Sequence, residues 1–188
     1  EMCIRDRDRY GGSTLEERMT FLYEVLDAVR AAVGAEHLVG VRLYDDLVDY
    51  SIGYEDHKII APILDASGLL DYFNIWIGSM PGESSIRSHV PSYYHDPGEF
   101  AWRPEGIKEL VSLPVIGAGR INTPALAEEM LANGKMDLVG MVRELIADPQ
   151  FPNKAKEGRV EDIRTCLGCS QSCAGRYALG LPITCIYN

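Results

Sequence analysis

The chain has 188 residues, 46% of them apolar, and a formal charge of −10, enough for one core. An acidic balance of this size excludes the phosphate backbone of nucleic acid as a partner. No apolar run approaches the roughly 18 residues a membrane helix needs, and no signal peptide opens the chain, so a cytoplasmic, reducing location is expected.

Residues 1–7 have neither periodicity nor a cap, carry Cys3, and resemble translated sequencing-adapter DNA; they are set aside as a non-native leader. The first helix follows Gly11-Gly12, with Ser13 and Glu16 in capping-box register. Apolar residues from Leu15 to Val33 then recur at three- and four-residue steps up to Gly34. His37–Leu43 is a short branched run and reads as a buried strand. Arg42 is its anomaly: a cation there needs an anion or an electron-rich ring, or else an ion pair with Asp45 or Asp46.

A helix over Tyr54–Ala66 and a strand over Asp71–Gly78 come next. The pattern lapses from Ser79 to Phe100, a loop long enough to be a lid or binding segment. Its His89 and His95 read either as functional or as surface residues, and Trp76, Tyr93, Tyr94, Phe100 and Trp102 as pocket walls or plain packing. A helix over Pro104–Leu110 precedes the strand Leu113–Arg120, which runs into a glycine turn. Asn122-Thr123-Pro124 caps a helix that Asn133-Gly134 stops. Asp137–Val142 is the fourth strand; a short helix runs from Arg143 to Ala147, Asp148-Pro149 breaks it, and a helical stretch leads to the cysteines.

Four βα units call for a parallel sheet and amount to half of a (β/α)8 barrel, so the fold expected is α/β, a TIM-barrel fragment holding the last four units. Residues 8–158 form this half-barrel and 159–188 a cysteine-rich segment. In such barrels the working end is at the strand C-termini, with phosphate held by the loops after the seventh and eighth strands. Those loops are here Gly117-Ala-Gly119-Arg120 and Val142-Arg143, each with a cation beside backbone N–H groups.

Cys166, Cys169, Cys173 and Cys185 follow the spacing CxxCxxxCx11C. Thiolates this close suit a [4Fe–4S] cluster or structural zinc; disulfides or inert thiols are the third reading. The cluster is favoured, since only one CxxC is present and zinc ribbons pair two. Gly168 and Gly175 ease the curl of the chain around the sulfurs, and Ser170 and Ser172 bring polar groups to them.

The segments Tyr10–Arg18, Gly40–Leu43, Pro114–Ile121, Leu145–Pro149 and the cysteine run together resemble the iron–sulfur branch of the Old Yellow Enzyme superfamily, NADH:flavin oxidoreductases that include dienoyl-CoA reductases and trimethylamine dehydrogenase. The resemblance covers nearly everything from Asp8 to Asn188. It implies a barrel holding FMN, with Arg42 beside the N1/O2 side of the flavin and Gly119, Arg120, Val142 and Arg143 on its phosphate. It implies a [4Fe–4S] cluster on the four cysteines, and His89, aligned only loosely, as a catalytic residue. Many relatives have glycine where Val142 stands, and the catalytic residues they place after the fourth strand have no counterpart in this sequence.

The function expected is transfer of electrons between the cluster, FMN and a small organic substrate, with NAD(P)H as a reductant and an enoyl thioester as acceptor. Oxidative demethylation or dehydrogenation of an amine is the alternative, with electrons leaving through the cluster to a partner; a non-catalytic zinc module is the reading of another class. Partners are the small molecule and an electron-transfer protein or a second copy of the chain.

Overall fold

Thr14, one residue beyond Ser13, caps the first helix of the computed structural model, α1 (Leu15–Val33). The Thr14 hydroxyl accepts from Glu17 N at 3.2 Å, and the Glu17 carboxylate accepts from Thr14 N at 3.0 Å. Two overlapping capping boxes are written into the sequence, and contacts outside the pattern bear on the choice. Tyr10 packs edge-on against Phe21 at 5.4 Å and donates to Glu24, fixing how the chain enters the helix. The structure describes residues 9–45, 52–78 and 89–188, so the leader with Cys3, Asp46 and positions 79–88 of the long loop lie outside it.

Then come β1 (Gly40–Asp45), α2 (Tyr54–Ala66), β2 (Tyr72–Ile77), α3 (Trp102–Lys108), β3 (Val115–Gly117), α4 (Pro124–Ala132), β4 (Leu138–Val139), α5 (Arg143–Ala147) and α6 (Phe151–Lys156). The four strands are parallel and lie side by side in chain order. β1 starts later than the apolar run suggests because His37 is engaged at the end of α1, its Nδ1 2.7 Å from Val33 O. At Gly40 the Tyr72 ring takes the space of a side chain, 2.3 Å from where a Cβ would stand. β4 is shorter than Asp137–Val142 because Asp137 is used to hold its neighbours and Val142 caps α5. α3 begins before Pro104, which falls in its first turn, where a missing N–H costs no bond.

Alternation along β2 sends Phe73, Ile75 and Ile77 to one face, all buried, and Tyr72, Asn74 and Trp76 to the other. The buried face packs with Ile60, Ala61 and Leu64 of α2 and Ile107 of α3. Helices on one face of a parallel, sequentially ordered sheet are the build of a (β/α) barrel wall. The other face is the wall's inner surface: Gly40, Arg42, Tyr72, Asn74, Trp76, Ile116, Ala118 and Gly140 line a concavity of about 390 Å³ there.

Carboxylates close the N-terminal ends of the strands. Asp71 accepts from Val39 N and from Arg30, both at 2.7 Å. Asp65 accepts from Ser112 N and Leu113 N, and Asp137 from Val115 N at 2.9 Å and from Lys108 at 2.5 Å. These bonds satisfy backbone donors where the ladder has not begun. Burial opposes ionisation at Asp65 and Asp137, yet the bonds outweigh it and hold both, with Asp71, below the usual carboxylate range.

Candidate functional site

Arg42 lies on the inner face of β1, exposed rather than buried. Its Nε donates to Asn74 Oδ1 at 2.5 Å across the parallel register, and its guanidinium stands 5.7 Å from the centre of the Trp76 ring. Asn74 in turn donates to Ile116 O at 3.4 Å. Arg42 therefore meets an electron-rich ring, one of the two roles expected for it. Of the proposed acidic partners, Asp46 and the Asp45 side chain lie outside the described structure.

Trp76 Nε1 donates to His89 Nδ1 at 3.1 Å, and Gly78 O lies 2.9 Å from the same nitrogen. One ring nitrogen thus faces a donor and an acceptor and can satisfy only one of them at a time. His95 is placed differently: its Nδ1 meets Glu99 at 3.1 Å and its ring leans on Phe100 at 5.2 Å. The aromatic residues do not form one wall. Phe100 is buried, Trp102 packs on Tyr54 and Arg103 on the helical side, and Tyr93 and Tyr94 stack on each other at 4.5 Å in solvent.

The β3–α4 loop turns at Gly119, whose φ of +138° suits glycine, and at Arg120, a non-glycine residue with φ of +55°. The Arg120 guanidinium donates to His95 O, while its Nε is buried without a hydrogen-bond partner. An arginine held in a left-handed conformation with an unpartnered buried donor fits an anion. Val142 and Arg143 begin α5, where the first backbone N–H groups have no partner within the helix. Glu144 beside them is buried, its Oε1 unpartnered. Burial raises its carboxyl, against the backbone N–H groups of Glu144 and Val142 and the charges of Arg143 and Arg120. Positive charge and donors are therefore gathered at one place.

Cys166, Cys169, Cys173 and Cys185 line a single concavity together with Arg143, Ser170, Ser172 and Tyr187. All four are free thiols, so the disulfide reading finds no support. Gly168 has φ of +71° and Ser170 of +57°, so the second curl is made by Ser170 and not by Gly175, which is helical. A single π-helical turn, Gln171–Gly175, carries Cys173. Gly168 N donates to Cys166 Sγ and Tyr187 N to Cys185 Sγ, both at 3.4 Å, the kind of N–H···S bond that stabilises thiolate ligands. Burial pushes the Cys166 thiol up. Among the described residues no three Cys, His, Asp or Glu side chains stand as a group that could hold a metal ion. The donor set is soft sulfur lining one shared space.

Residues the sequence offers in other roles hold this nest. Asp148, read there as a helix breaker, is fully buried and accepts from Lys154 at 2.6 Å, and from Gln150 N and Arg164 N at 3.0 Å. These bonds, Lys154 first, keep its carboxyl down at about 2. Arg164 donates to Asn188 Oδ1 at 3.0 Å and Tyr187 O at 3.4 Å, so one carboxylate and one arginine fix the chain before Cys166 and after Cys185. Asn122, read as part of a cap, leaves that role to Thr123, whose hydroxyl accepts from Leu126 N, and donates to Cys166 O at 3.2 Å. Only the charge of Asp148 and Glu144 inside apolar surroundings could have drawn attention to them.

The two concavities meet at consecutive residues, Val142 lining the inner-face one and Arg143 the nest. No helix among the described residues is long and apolar enough to cross a membrane. A metal reductase from Desulforamulus reducens is 41% identical over 96% of this chain and 26% of its own length. An N,N-dimethylglycine/sarcosine dehydrogenase from Chromohalobacter salexigens is 37% identical over the same shares. Among solved structures, 2-naphthoyl-CoA reductase in complex with 2-naphthoyl-CoA superposes with a TM-score of 0.85 at 31% identity, over 98% of this chain and 27% of the other. The chain thus spans about a quarter of the length of these three relatives. The family model described as NADH:flavin oxidoreductase / NADH oxidase matches residues 5–162, and with the barrel-wall fold and the arginine-bearing loops in place, the chain belongs to that family.

Proposed function

We propose that this chain supplies the phosphate loops of an FMN site and the four ligands of a [4Fe–4S] cluster in an oxidoreductase acting on a small organic molecule. The observation that carries this reading is the adjacency of the two concavities, with four free thiols in one and an arginine–tryptophan pair in the other. Gly119, Arg120, Val142 and Arg143 bind the phosphate through N–H groups and charge. Arg42, steadied by Asn74, presents its charge to the electron-rich edge of the flavin ring. His89, oriented by Trp76, is the candidate for holding or moving a proton. FMN supplies hydride and single-electron chemistry when bound, and the cluster single-electron transfer.

Zinc in the nest is the alternative of another class, and metal analysis of the purified protein separates it from iron. A zinc module alone gives no role to the unpartnered buried Nε of Arg120. Free thiols suit the reducing cytoplasm, where we place the protein, with NAD(P)H as a reductant and a second copy or an electron-transfer protein as partner.

The test is anaerobic purification of the full-length protein followed by cofactor analysis. FMN and iron should copurify, and Cys169→Ser should lose the broad visible absorption of the cluster while retaining flavin. Colourless protein without iron or FMN sinks the reading. The substrate class is decided by turnover: NAD(P)H consumption with an enoyl thioester supports reduction, whereas oxidation of a methylated amine supports the dehydrogenase reading.

A further inference from the structure

Both loops assigned to the flavin phosphate touch the cysteine nest, and both do so on the stretch from Cys166 to Ser170. Asn122, two residues beyond Arg120, donates to Cys166 O at 3.2 Å. Arg120 Nε lies 2.9 Å from where a Cβ on Gly168 would stand, so only glycine lets the nest approach the arginine this closely. Arg143, which begins α5, reaches Ser170 Oγ at 3.5 Å. On the far side, Tyr93 N donates to Gly168 O at 2.9 Å and His95 O accepts from Arg120, so the arginine and the CxxC turn are held by one segment.

We propose that Asn122 is a positioning residue joining the phosphate loop to the nest, and that phosphate binding and cluster loading are therefore coupled, each tightening the other. The inference rests on the FMN and cluster reading above. An anion on Arg120 and Arg143 fixes two side chains that also border the nest, at Gly168 and at Ser170; a filled nest fixes the same side chains from the other side. The cost of ordering this shared wall is then met by whichever cofactor arrives first. Linkage requires the effect to be reciprocal and of equal size.

The experiment uses full-length protein stripped of both cofactors, half of it reconstituted with iron and sulfide. FMN is titrated into each form by quenching of flavin fluorescence, and riboflavin, which lacks the phosphate, serves as the control. FMN should bind about tenfold tighter to the cluster-loaded form, within the usual range of coupling between sites, and riboflavin equally to both. Asn122→Ala should bring the FMN ratio below about twofold without altering affinity for the cluster-free form, since Thr123 still caps α4. Equal FMN affinity in the two wild-type forms overturns the coupling while leaving the FMN site intact. The same ratio for riboflavin overturns the phosphate loops as its path, and an unchanged ratio in Asn122→Ala overturns the role of that residue. Failure of FMN to bind either form overturns the flavin reading, and the coupling with it.

Discussion

The two ends of the sheet are built on opposite terms. At the N-terminal end Asp65, Asp71 and Asp137 each accept from a backbone N–H and from a side chain, which leaves their charge answered within the chain. On the inner face and in the loops at the C-terminal end stand Arg42, Arg120 and Arg143: one against a ring, one with a buried donor unpartnered and its backbone left-handed, one reaching a serine hydroxyl at 3.5 Å. The first end holds the wall together; the second keeps positive charge in reserve for something that arrives from outside.

That contrast can be broken most severely at Arg120. Arg120→Ala should weaken FMN binding ten- to a hundredfold, the effect of losing a charge-assisted hydrogen bond of about 1.5–3 kcal/mol, with the thermal midpoint nearly unchanged; isothermal titration and a melting scan read the two sides. Asp137→Ala should do the reverse. It leaves Val115 N–H without its acceptor and costs about 1–3 kcal/mol of stability, while FMN affinity stays within about twofold. Arg120→Gly sharpens the comparison: both variants lose the bond to His95 O, but glycine relieves the left-handed backbone, so it should be more stable than Arg120→Ala by up to about 1 kcal/mol in chemical denaturation even as FMN affinity falls equally.

Asp148 tests whether the C-terminal end can also hold a carboxylate of the stabilising kind. Its folded-state value of about 2 lies below the ordinary 3.8. The stability it contributes is therefore fully present above about pH 4 and lost as pH falls through about 2. Asp148→Asn should therefore lower stability at neutral pH and, in an acid titration, flatten the fall in stability between about pH 4 and 2; a curve identical to wild type would refute the assignment.

The barrel wall is legible in the sequence wherever periodicity speaks, as in α2, whose limits Tyr54 and Ala66 follow from its apolar spacing. It blurs where equal local signals compete, as with the two capping boxes at Ser13 and Thr14, or where a side chain is borrowed for a distant bond, as with His37 and Asp137. The cysteine spacing is enough to bring four thiols to one concavity. It is silent on Asn122, Glu144 and Asp148, because a polar residue's tertiary partner leaves no periodic trace. The aromatic residues err in the other direction: composition groups them, while strand alternation and helix packing send them to different faces.

Asp148 and Arg164 together bind the stem of the thiol segment to the last helices of the wall, and Asn188 Nδ2 returns to Ile146 O at 3.4 Å. The segment is thus no detachable cartridge. Transplanting the cysteines alone onto another scaffold would carry the donor atoms across without the brace that sets their separation, and the graft would have to include everything from Ile146 onward to keep its shape.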